Sequence, residues 1–291
     1  MVSELRRNWM DNEEYLKLNQ DNENTNIEVD LLLEGIYRLS GFDFREYNRS
    51  SISRRIYYRM KLDNIPTISR LLEKIIHEKD FLDRILNDFS INVTEMFRNP
   101  SFFKAFRTEI IPKLRDHKEI RIWHAGCATG EEVYSMAILL EEEGLMEKAI
   151  IYATDMNEQV LQKASLGAFP LNKMQAYTKN YILAGGTNAF SEYYKADQQY
   201  AYFHESLLKN IIFAQHNLVT DQSFNEFHVI ICRNVLIYFT QSLQNKVQGL
   251  FYESLSKGGF LGLGDKETLR FAEVMPQYRD VVEDERLYQK I

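Results

Sequence analysis

The sequence predicts an α/β protein in which a parallel β-sheet follows a small unit made only of helices. Three observations support this. Up to residue 106, apolar residues recur at the spacing of amphipathic helices. After Pro112, short β-rich runs alternate with helical patterns, which is typical of a parallel sheet with helices on both faces. Residues 167–210 break this alternation and are rich in Tyr, Asn and Gly, which favours an inserted antiparallel β element.

The N-terminal region divides into a polar leader and a helical domain. Residues 1–27 are polar and rich in Asn and Glu, so we expect a flexible leader. Residues 28–106 form the predicted helical domain. Its first helix contains Leu32 and Leu39 and ends at Gly41, its second spans 50–62, and two more begin near Pro66 and Asp80.

The C-terminal region, residues 107–291, is predicted to form the sheet domain. Strands are expected at 120–125, 149–155, 211–216, 227–232 and 259–265. Helices are expected at 131–143, 157–165 and 240–256. We place the β insert of this domain at about 177–210, because that stretch matches no further strand–helix unit.

The composition excludes several classes of protein. An apolar content of 45% and a charged content of 26% are typical of a soluble globular protein, and no run approaches the length of a membrane span. Cys127 and Cys232 alone support no disulfide framework, and the histidines lack metal-site spacing, so we expect no metal and a cytoplasmic location. The net charge of −7 argues against a nucleic acid partner.

A glycine loop follows the first predicted strand. Gly126 and Gly130 lie between this strand and a helix, where backbone can approach a ligand closely. The spacing is not the G-x-G-x-x-G of a dinucleotide site, and Glu131 and Glu132 at the helix start would repel a pyrophosphate. They suit a cationic ligand, such as the sulfonium and ammonium groups of S-adenosylmethionine. The alternative is that both carboxylates only favour the helix dipole.

Polar residues also follow two other predicted strands. Asp155 ends the second strand, where it could accept hydrogen bonds from ribose hydroxyls or cap the next helix. Arg233, Asn234 and Tyr238 follow the strand 227–232, at the position that faces a transferred group. Residues 92–98 alternate polar side chains before the sheet domain, which suits either a lid over a nucleoside or a polar linker.

The predicted helix 50–62 carries a basic face. Ile52, Ile56 and Met60 share its apolar side. The side chains projecting away from that face are basic: Arg54, Arg55, Arg59 and Lys61. In a chain of net negative charge, this face suits an acidic partner, and the alternative is an ordinary solvated surface.

Several motifs together resemble a known family. In order along residues 30–291 they are GFDFREYNRSSISRRIYYRM, INVTEMFRN, IWHAGCATGEEVYS, ATDMNEQVLQKAS, HNL and ICRNVLIYF. This pattern is similar to that of the chemotaxis receptor methyltransferases (CheR). The resemblance implies a class I, Rossmann-like methyltransferase sheet with a helical N-terminal domain and an inserted antiparallel β-subdomain. It also implies methylation of glutamate side chains on the cytoplasmic helices of chemoreceptors, giving γ-methyl esters and S-adenosylhomocysteine.

The resemblance also implies roles for individual residues. The cofactor contacts would come from Asn92, Thr94, Arg98, Gly126, Glu132, Asp155, Asn217, Leu218, Arg233 and Asn234. The reacting carboxylate would be oriented by Arg98 and Tyr238. Receptor docking would involve Arg54, Arg55, Arg59 and Lys61, since receptor methylation helices are acidic. We expect a monomer that meets the membrane only through the receptor.

The sequence departs from the family pattern at two places. Val133 stands where Pro is usual after the two glutamates, and Gly264-Asp265-Lys266-Glu267 replaces the usual G-x-S/T-E run. The insert does not reveal whether it binds a receptor tether peptide. Two other functions stay open: a methyltransferase of the same fold with another protein or small-molecule substrate, and a non-catalytic S-adenosylmethionine-binding regulator.

Overall fold

The computed structural model describes residues 23–90 and 93–291. The chain divides into two compact units between Ile91 and Asn92, earlier than the division at 106/107 that the sequence suggested. Residues 1–22 of the expected leader lie outside the described residues. The expectation of a leader is wrong for residues 23–27, because they form the start of the first helix, with Glu23 in its first turn.

The first unit contains four helices within the described residues: α1 (Glu23–Ser40), α2 (Arg49–Leu62), α3 (Ile68–His77) and α4 (Lys79–Phe89). Short polar side chains cap two of them. Asn48 accepts a hydrogen bond from the Ser50 amide before α2, and Thr67 accepts one from the Arg70 amide before α3. The unit closes around fully buried side chains of all four helices and one loop: Leu32, Ile36, Phe44, Ile56, Leu71 and Ile85.

The basic residues of α2 are less available than the sequence suggested. Arg59 is buried, and its Nε and Nη2 atoms lie 2.5 and 2.8 Å from the two carboxylate oxygens of Asp88. Its Nη1 atom also donates to Asp63 at 3.1 Å. Arg55 donates to the Asp88 carbonyl at 2.6 Å, and among the four predicted docking residues only Lys61 is exposed. The prediction that Arg59 belongs to a docking face is therefore wrong.

The second unit begins with helices α5 (Pro100–Ala105) and α6 (Ile111–Leu114), joined by a π-helical turn (Phe106–Ile110). Phe102, Phe103 and Phe106 are buried in the core of this unit. Burial of these aromatic rings explains why the segment belongs to the second unit and not to the helical one.

A seven-stranded sheet forms the centre of the second unit. Its strands are β1 (Ile120–Ala125), β2 (Ala149–Asp155), β6 (Ile211–Gln215), β7 (Phe227–Cys232), β8 (Leu255–Leu263), β9 (Tyr278–Val282) and β10 (Leu287–Lys290). The order is β6-β2-β1-β7-β8-β10-β9, and the first five of these are parallel. The last two pair antiparallel and were not predicted, since their short polar sequences lack the apolar runs of the buried strands.

Helices follow the parallel strands as the sequence predicted. They are α7 (Glu131–Glu142) after β1, α8 (Glu158–Ser165) after β2 and α11 (Gln241–Ser254) after β7. Val133, at the position where the family usually has Pro, is fully buried in the first turn of α7. No helix in the described ranges is both long enough and apolar enough to cross a lipid bilayer.

The insert is a small α/β element between α8 and β6. It comprises β3 (Ala168–Pro170), α9 (Met174–Leu183), β4 (Tyr194–Ala196), β5 (Tyr200–Phe203) and α10 (Glu205–Leu208). Its antiparallel sheet has the order β3-β5-β4. The antiparallel character is confirmed, but the element starts earlier than the predicted residue 177 and includes a helix. The ring of Tyr134 in α7 packs edge-on against Phe169 of the insert sheet.

We expect Arg59→Ala to lower the free energy of unfolding of the chain by about 3 kcal/mol, because it leaves the half-buried Asp88 carboxylate without its cation. Lys61→Ala, which removes an exposed cation from the same helix, is the matched control and should change this free energy by less than about 0.5 kcal/mol. Urea denaturation measures both. Equal, small effects would show that the Arg59 pair contributes nothing to stability.

Candidate active site

The four motifs that the sequence singled out in the sheet domain meet at one edge of the sheet. They follow the carboxyl ends of the adjacent parallel strands β6, β2, β1 and β7. The glycine loop follows β1, Asp155 ends β2, Asn217 comes after β6, and Arg233 comes after β7. Ligands of open α/β sheets bind at this edge. The sheet topology therefore brings the predicted residues together.

The glycine loop turns sharply against two neighbouring strands. Gly126 has a φ of +79°, and its amide donates to the Thr154 carbonyl of β2 at 2.8 Å. A Cβ atom at this position would lie 2.6 Å from the Val235 side chain. Gly130, with a φ of +91°, precedes α7. Both glycines are therefore required by the backbone of the loop itself.

Asp155 is buried at the end of β2 and helps to shape the glycine loop. Its two carboxylate oxygens accept hydrogen bonds from the Ala128 amide at 2.9 Å and the Asn157 amide at 3.0 Å. Burial raises the pKa of Asp155 by more than its backbone donors lower it. A carboxylate has about four lone-pair positions, so its oxygens can accept further hydrogen bonds. The N-cap of α8 is Asn157 and not Asp155, which removes the capping alternative.

Glu132 is held by two partners at the start of α7. Its Oε1 atom lies 3.0 Å from His124 Nδ1, and its Oε2 atom accepts from Arg233 Nη1 at 3.0 Å. Burial acts to raise the pKa of Glu132, but the His124 hydrogen bond and the charge of Arg233 together hold it below the ordinary value. The carboxylate is therefore ionised at neutral pH and fixed in direction.

Arg233 connects Glu132 to the segment that precedes α5. Its Nη2 atom donates to the Arg98 carbonyl at 3.1 Å and to Asn99 Oδ1 at 2.8 Å. The guanidinium lies 4.1 Å from the centre of the Phe102 ring. The sequence suggested that Arg233 lines the cofactor pocket. Both of its terminal nitrogens bond to protein groups, so the side chain positions its neighbours. Its contact with the cofactor stays a prediction.

The two glutamates after Gly130 differ in what they contact. Glu131 is buried and accepts hydrogen bonds from the Thr129 hydroxyl at 2.6 Å and the Tyr177 hydroxyl of the insert at 3.2 Å. Its role is to join the glycine loop to the insert. Of the two, only Glu132 bonds to His124 of β1 and to Arg233 after β7.

The sequence missed the role of Glu267. This buried carboxylate accepts from the amides of Gly264 at 2.6 Å and Asn234 at 2.9 Å through one oxygen. The other oxygen accepts from the amides of Val235 and Leu236, both at 2.8 Å. Burial raises the pKa of Glu267, and the backbone donors partly offset that effect. One side chain thus holds the whole loop after β7, and the final Glu of the Gly264–Glu267 run was the available signal.

The other predicted site residues fall on the loops around this edge. Asn234 has a φ of +62°, and Tyr238 ends a half-buried turn in the loop that Glu267 holds. Asn217 is buried, and its side chain accepts from the Val219 amide at 3.0 Å, with Leu218 buried beside it.

The segment before α5 carries three more predicted residues. Arg98 is half-buried and donates to the Val93 carbonyl at 3.1 Å. Thr94 is half-buried as well. Asn92 lies outside the described residues.

The two cysteines of the site, and any group of side chains that could bind a metal ion, bear on the chemistry that the site can perform. Cys127 and Cys232 are buried, and burial raises the pKa of both thiols far above the ordinary value. In residues 23–90 and 93–291, no cluster of His, Cys, Asp and Glu could hold a metal ion.

Comparison with known proteins identifies the family. Residues 92–282 match the model of the S-adenosylmethionine-binding domain of the CheR methyltransferases, and residues 27–90 match the all-alpha domain of the same family. The chain belongs to the CheR methyltransferases. The family resemblance of the sequence and the predicted cofactor, S-adenosylmethionine, are thereby confirmed, and the chain is an enzyme of this family.

Among curated relatives, Cher3 of Pseudomonas putida is 46% identical over 267 residues, which are 92% of this chain and 98% of that protein. Its name gives the methyltransferase activity only provisionally and gives no substrate. The chemotaxis protein methyltransferase of Listeria monocytogenes is 28% identical, covering 79% of this chain and 85% of that protein. That of Salmonella typhimurium is 26% identical, covering 80% of each.

The edge of the sheet suits this cofactor. A ribose brings hydroxyl donors, and the buried Asp155 carboxylate has lone pairs beyond those that accept from Ala128 and Asn157. A sulfonium and an ammonium bring positive charge, and the site carries the carboxylates Asp155 and Glu132, of which Glu132 is already paired with Arg233.

We expect Glu267→Gln to lower the free energy of unfolding by about 1–3 kcal/mol, because the amide NH₂ group would face backbone N–H donors at one of the two oxygen positions. Asp265→Asn removes the same charge from an exposed neighbour and is the control. Thermal unfolding compares the two. If both variants unfold like the parent chain, Glu267 does not hold the loop.

Proposed function

We propose that this CheR methyltransferase transfers the methyl group of S-adenosylmethionine to glutamate side chains of chemoreceptors. The products are glutamate γ-methyl esters and S-adenosylhomocysteine. Family membership establishes the methyltransferase activity and the cofactor, and the proposal adds the acceptor. One observation supports a carboxylate acceptor most strongly: no histidine or cysteine of the described site is exposed to take a proton from an acceptor.

The histidine and cysteine side chains of the described site are buried. His124 is fully buried and bonded to Glu132, and His216 is buried with its Nε2 atom 3.1 Å from the Gln222 carbonyl. Both cysteine thiols have raised pKa values, so neither forms a thiolate readily. The pKa of Glu132 is lowered, which makes it a weak base. An amine or hydroxyl acceptor would therefore have to lose its proton without help.

A glutamate acceptor needs no such base, because its carboxyl group has an ordinary pKa of about 4.3 and arrives ionised. When bound, S-adenosylmethionine supplies a methyl group on a sulfonium, which the acceptor oxygen takes as the carbon–sulfur bond breaks. The protein has only to align the two reactants and to exclude water, and such alignment can supply several kcal/mol. A reaction in which the cofactor supplies the methyl group and the protein aligns the reactants fits a site made of positioning contacts.

Individual residues are assigned to this alignment as part of the proposal. Asp155 would accept hydrogen bonds from the ribose hydroxyls, and Glu132 would attract the cationic part of the cofactor. Arg98 and Tyr238 would orient the acceptor carboxylate. The hydrogen bond from the Arg98 side chain to the Val93 main-chain carbonyl supports this role, because it restrains the half-buried guanidinium. Arg233 in turn joins this segment to Glu132.

Receptor docking is assigned to the remaining basic residues of α2. Lys61 is exposed, and Arg54 and Arg55 are half-buried on the same helix. Arg59 is left out because Asp88 and Asp63 neutralise it. An acidic receptor helix would be attracted to this smaller positive surface, with an affinity that falls as salt is added.

The test is transfer of a labelled methyl group from S-adenosylmethionine to membranes that contain candidate chemoreceptors. We expect label on the receptor that mild base releases as methanol, because carboxyl methyl esters hydrolyse easily. The matched control is a receptor in which the glutamates of the methylation helices are replaced by glutamine. That receptor should take up no label.

Three outcomes would contradict the proposal. Label that resists base would place the methyl group on nitrogen or on a hydroxyl. Equal labelling of the glutamine-substituted receptor would place it on other residues. Failure of every candidate receptor, together with base-stable labelling of another protein, would assign a different substrate to the same enzyme.

A further inference from the structure

Helix α9 of the insert contacts two of the segments that carry proposed site residues. The Asn180 side-chain amide donates to the Met96 carbonyl at 3.0 Å. One turn earlier on the same helix, the Tyr177 hydroxyl donates to Glu131 at 3.2 Å. The first contact reaches the segment before α5, and the second reaches the glycine loop. The insert is thus attached to the active site at two points.

The turn from Met96 to Asn99 has a strained backbone. Phe97 and Asn99 have φ values of +51° and +54°, with Arg98 between them. Non-glycine residues in this region cost of order 1 kcal/mol or more, so surrounding contacts must hold the turn in place. The direction of the Arg98 side chain depends on both of these backbone conformations.

The insert provides much of what holds this turn. The Phe97 ring is fully buried and packs edge-on against Tyr181 of α9, with ring centres 5.3 Å apart, and against Phe190, 6.3 Å away. On the other side, the Phe97 amide donates to the Ser135 hydroxyl of α7 at 2.8 Å. The turn is therefore clamped between α7 and the insert.

From these contacts we infer that α9 is a positioning element of the active site and that Asn180 is its positioning residue. Asn180 holds the Met96 carbonyl, the strained turn follows directly, and Arg98 is thereby aimed at the acceptor. The insert then helps to position Arg98, in addition to any binding surface that it presents to a partner. This inference rests on the role of Arg98 in the proposed function.

The test compares Asn180→Ala with Gln175→Ala, which removes an exposed side-chain amide from the same helix. We expect Asn180→Ala to lower kcat for methyl transfer about tenfold or more, since small misplacements in an active site are costly. The Kd for S-adenosylhomocysteine and the Tm should stay close to the parent values. Asn180→Asp should lower kcat further, because its carboxylate would face the Met96 carbonyl. Gln175→Ala should change none of these quantities.

A second readout does not need activity. Amide hydrogen exchange at Phe97 should become faster in Asn180→Ala, because the turn loses one of its restraints, and should stay unchanged in Gln175→Ala. If the parent chain methylates no receptor but exchange at Phe97 responds as expected, the proposed substrate fails and the positioning role stands.

The positioning role is overturned by either of two results. The first is unchanged kcat and unchanged exchange in Asn180→Ala of an active chain. The second is a loss of kcat that parallels an equal loss of S-adenosylhomocysteine affinity and a lowered Tm, which would indicate a general structural role.

Discussion

The active site depends on the contacts of one buried guanidinium. Arg233 bonds to Glu132 at the start of α7, and to the Arg98 carbonyl and the Asn99 side chain before α5. It also stacks on Phe102. A planar guanidinium with fixed donors can join these groups, whereas a lysine ammonium has no such fork. Because the guanidinium is buried, the partners that satisfy it must stay in place, so the start of α7 and the segment before α5 are held in one arrangement.

Buried carboxylates hold the loops of the site in a similar way. Glu267 accepts hydrogen bonds from backbone amides after β7. Asp155 accepts them from the glycine loop and from the N-cap residue of α8. Glu131 accepts one from the Tyr177 hydroxyl of the insert. Each would be costly to bury alone, and each is satisfied by several donors. The site is thus built from charged groups that fix the backbone. This suits a methyl transfer in which alignment, and not proton removal, is the protein's main task.

Much of the fold and the location of the site could be predicted from the sequence, because strands, helices and glycine turns leave local patterns. The glycine loop, Asp155 and the run after β7 were all found in this way. The environment of single arginines could not be predicted, because it depends on distant partners. Arg59 pairs with Asp88, 29 residues away, and Arg233 with Glu132, 101 residues away. The helix within the insert and the antiparallel strands β9 and β10 were missed for a related reason, since their short, mixed sequences are stabilised by tertiary packing.

The most direct test of this account is a double-mutant cycle on the Arg233–Glu132 pair, with calorimetric measurement of S-adenosylhomocysteine binding. Arg233→Met and Glu132→Gln should each weaken binding, and the double variant should lose about 1–3 kcal/mol less than the sum of the two. Since the folded pKa of Glu132 is lowered, the coupling should be present at neutral pH and disappear only as the pH falls through that lowered value. Additive losses at neutral pH would contradict the claim that this pair organises the cofactor site.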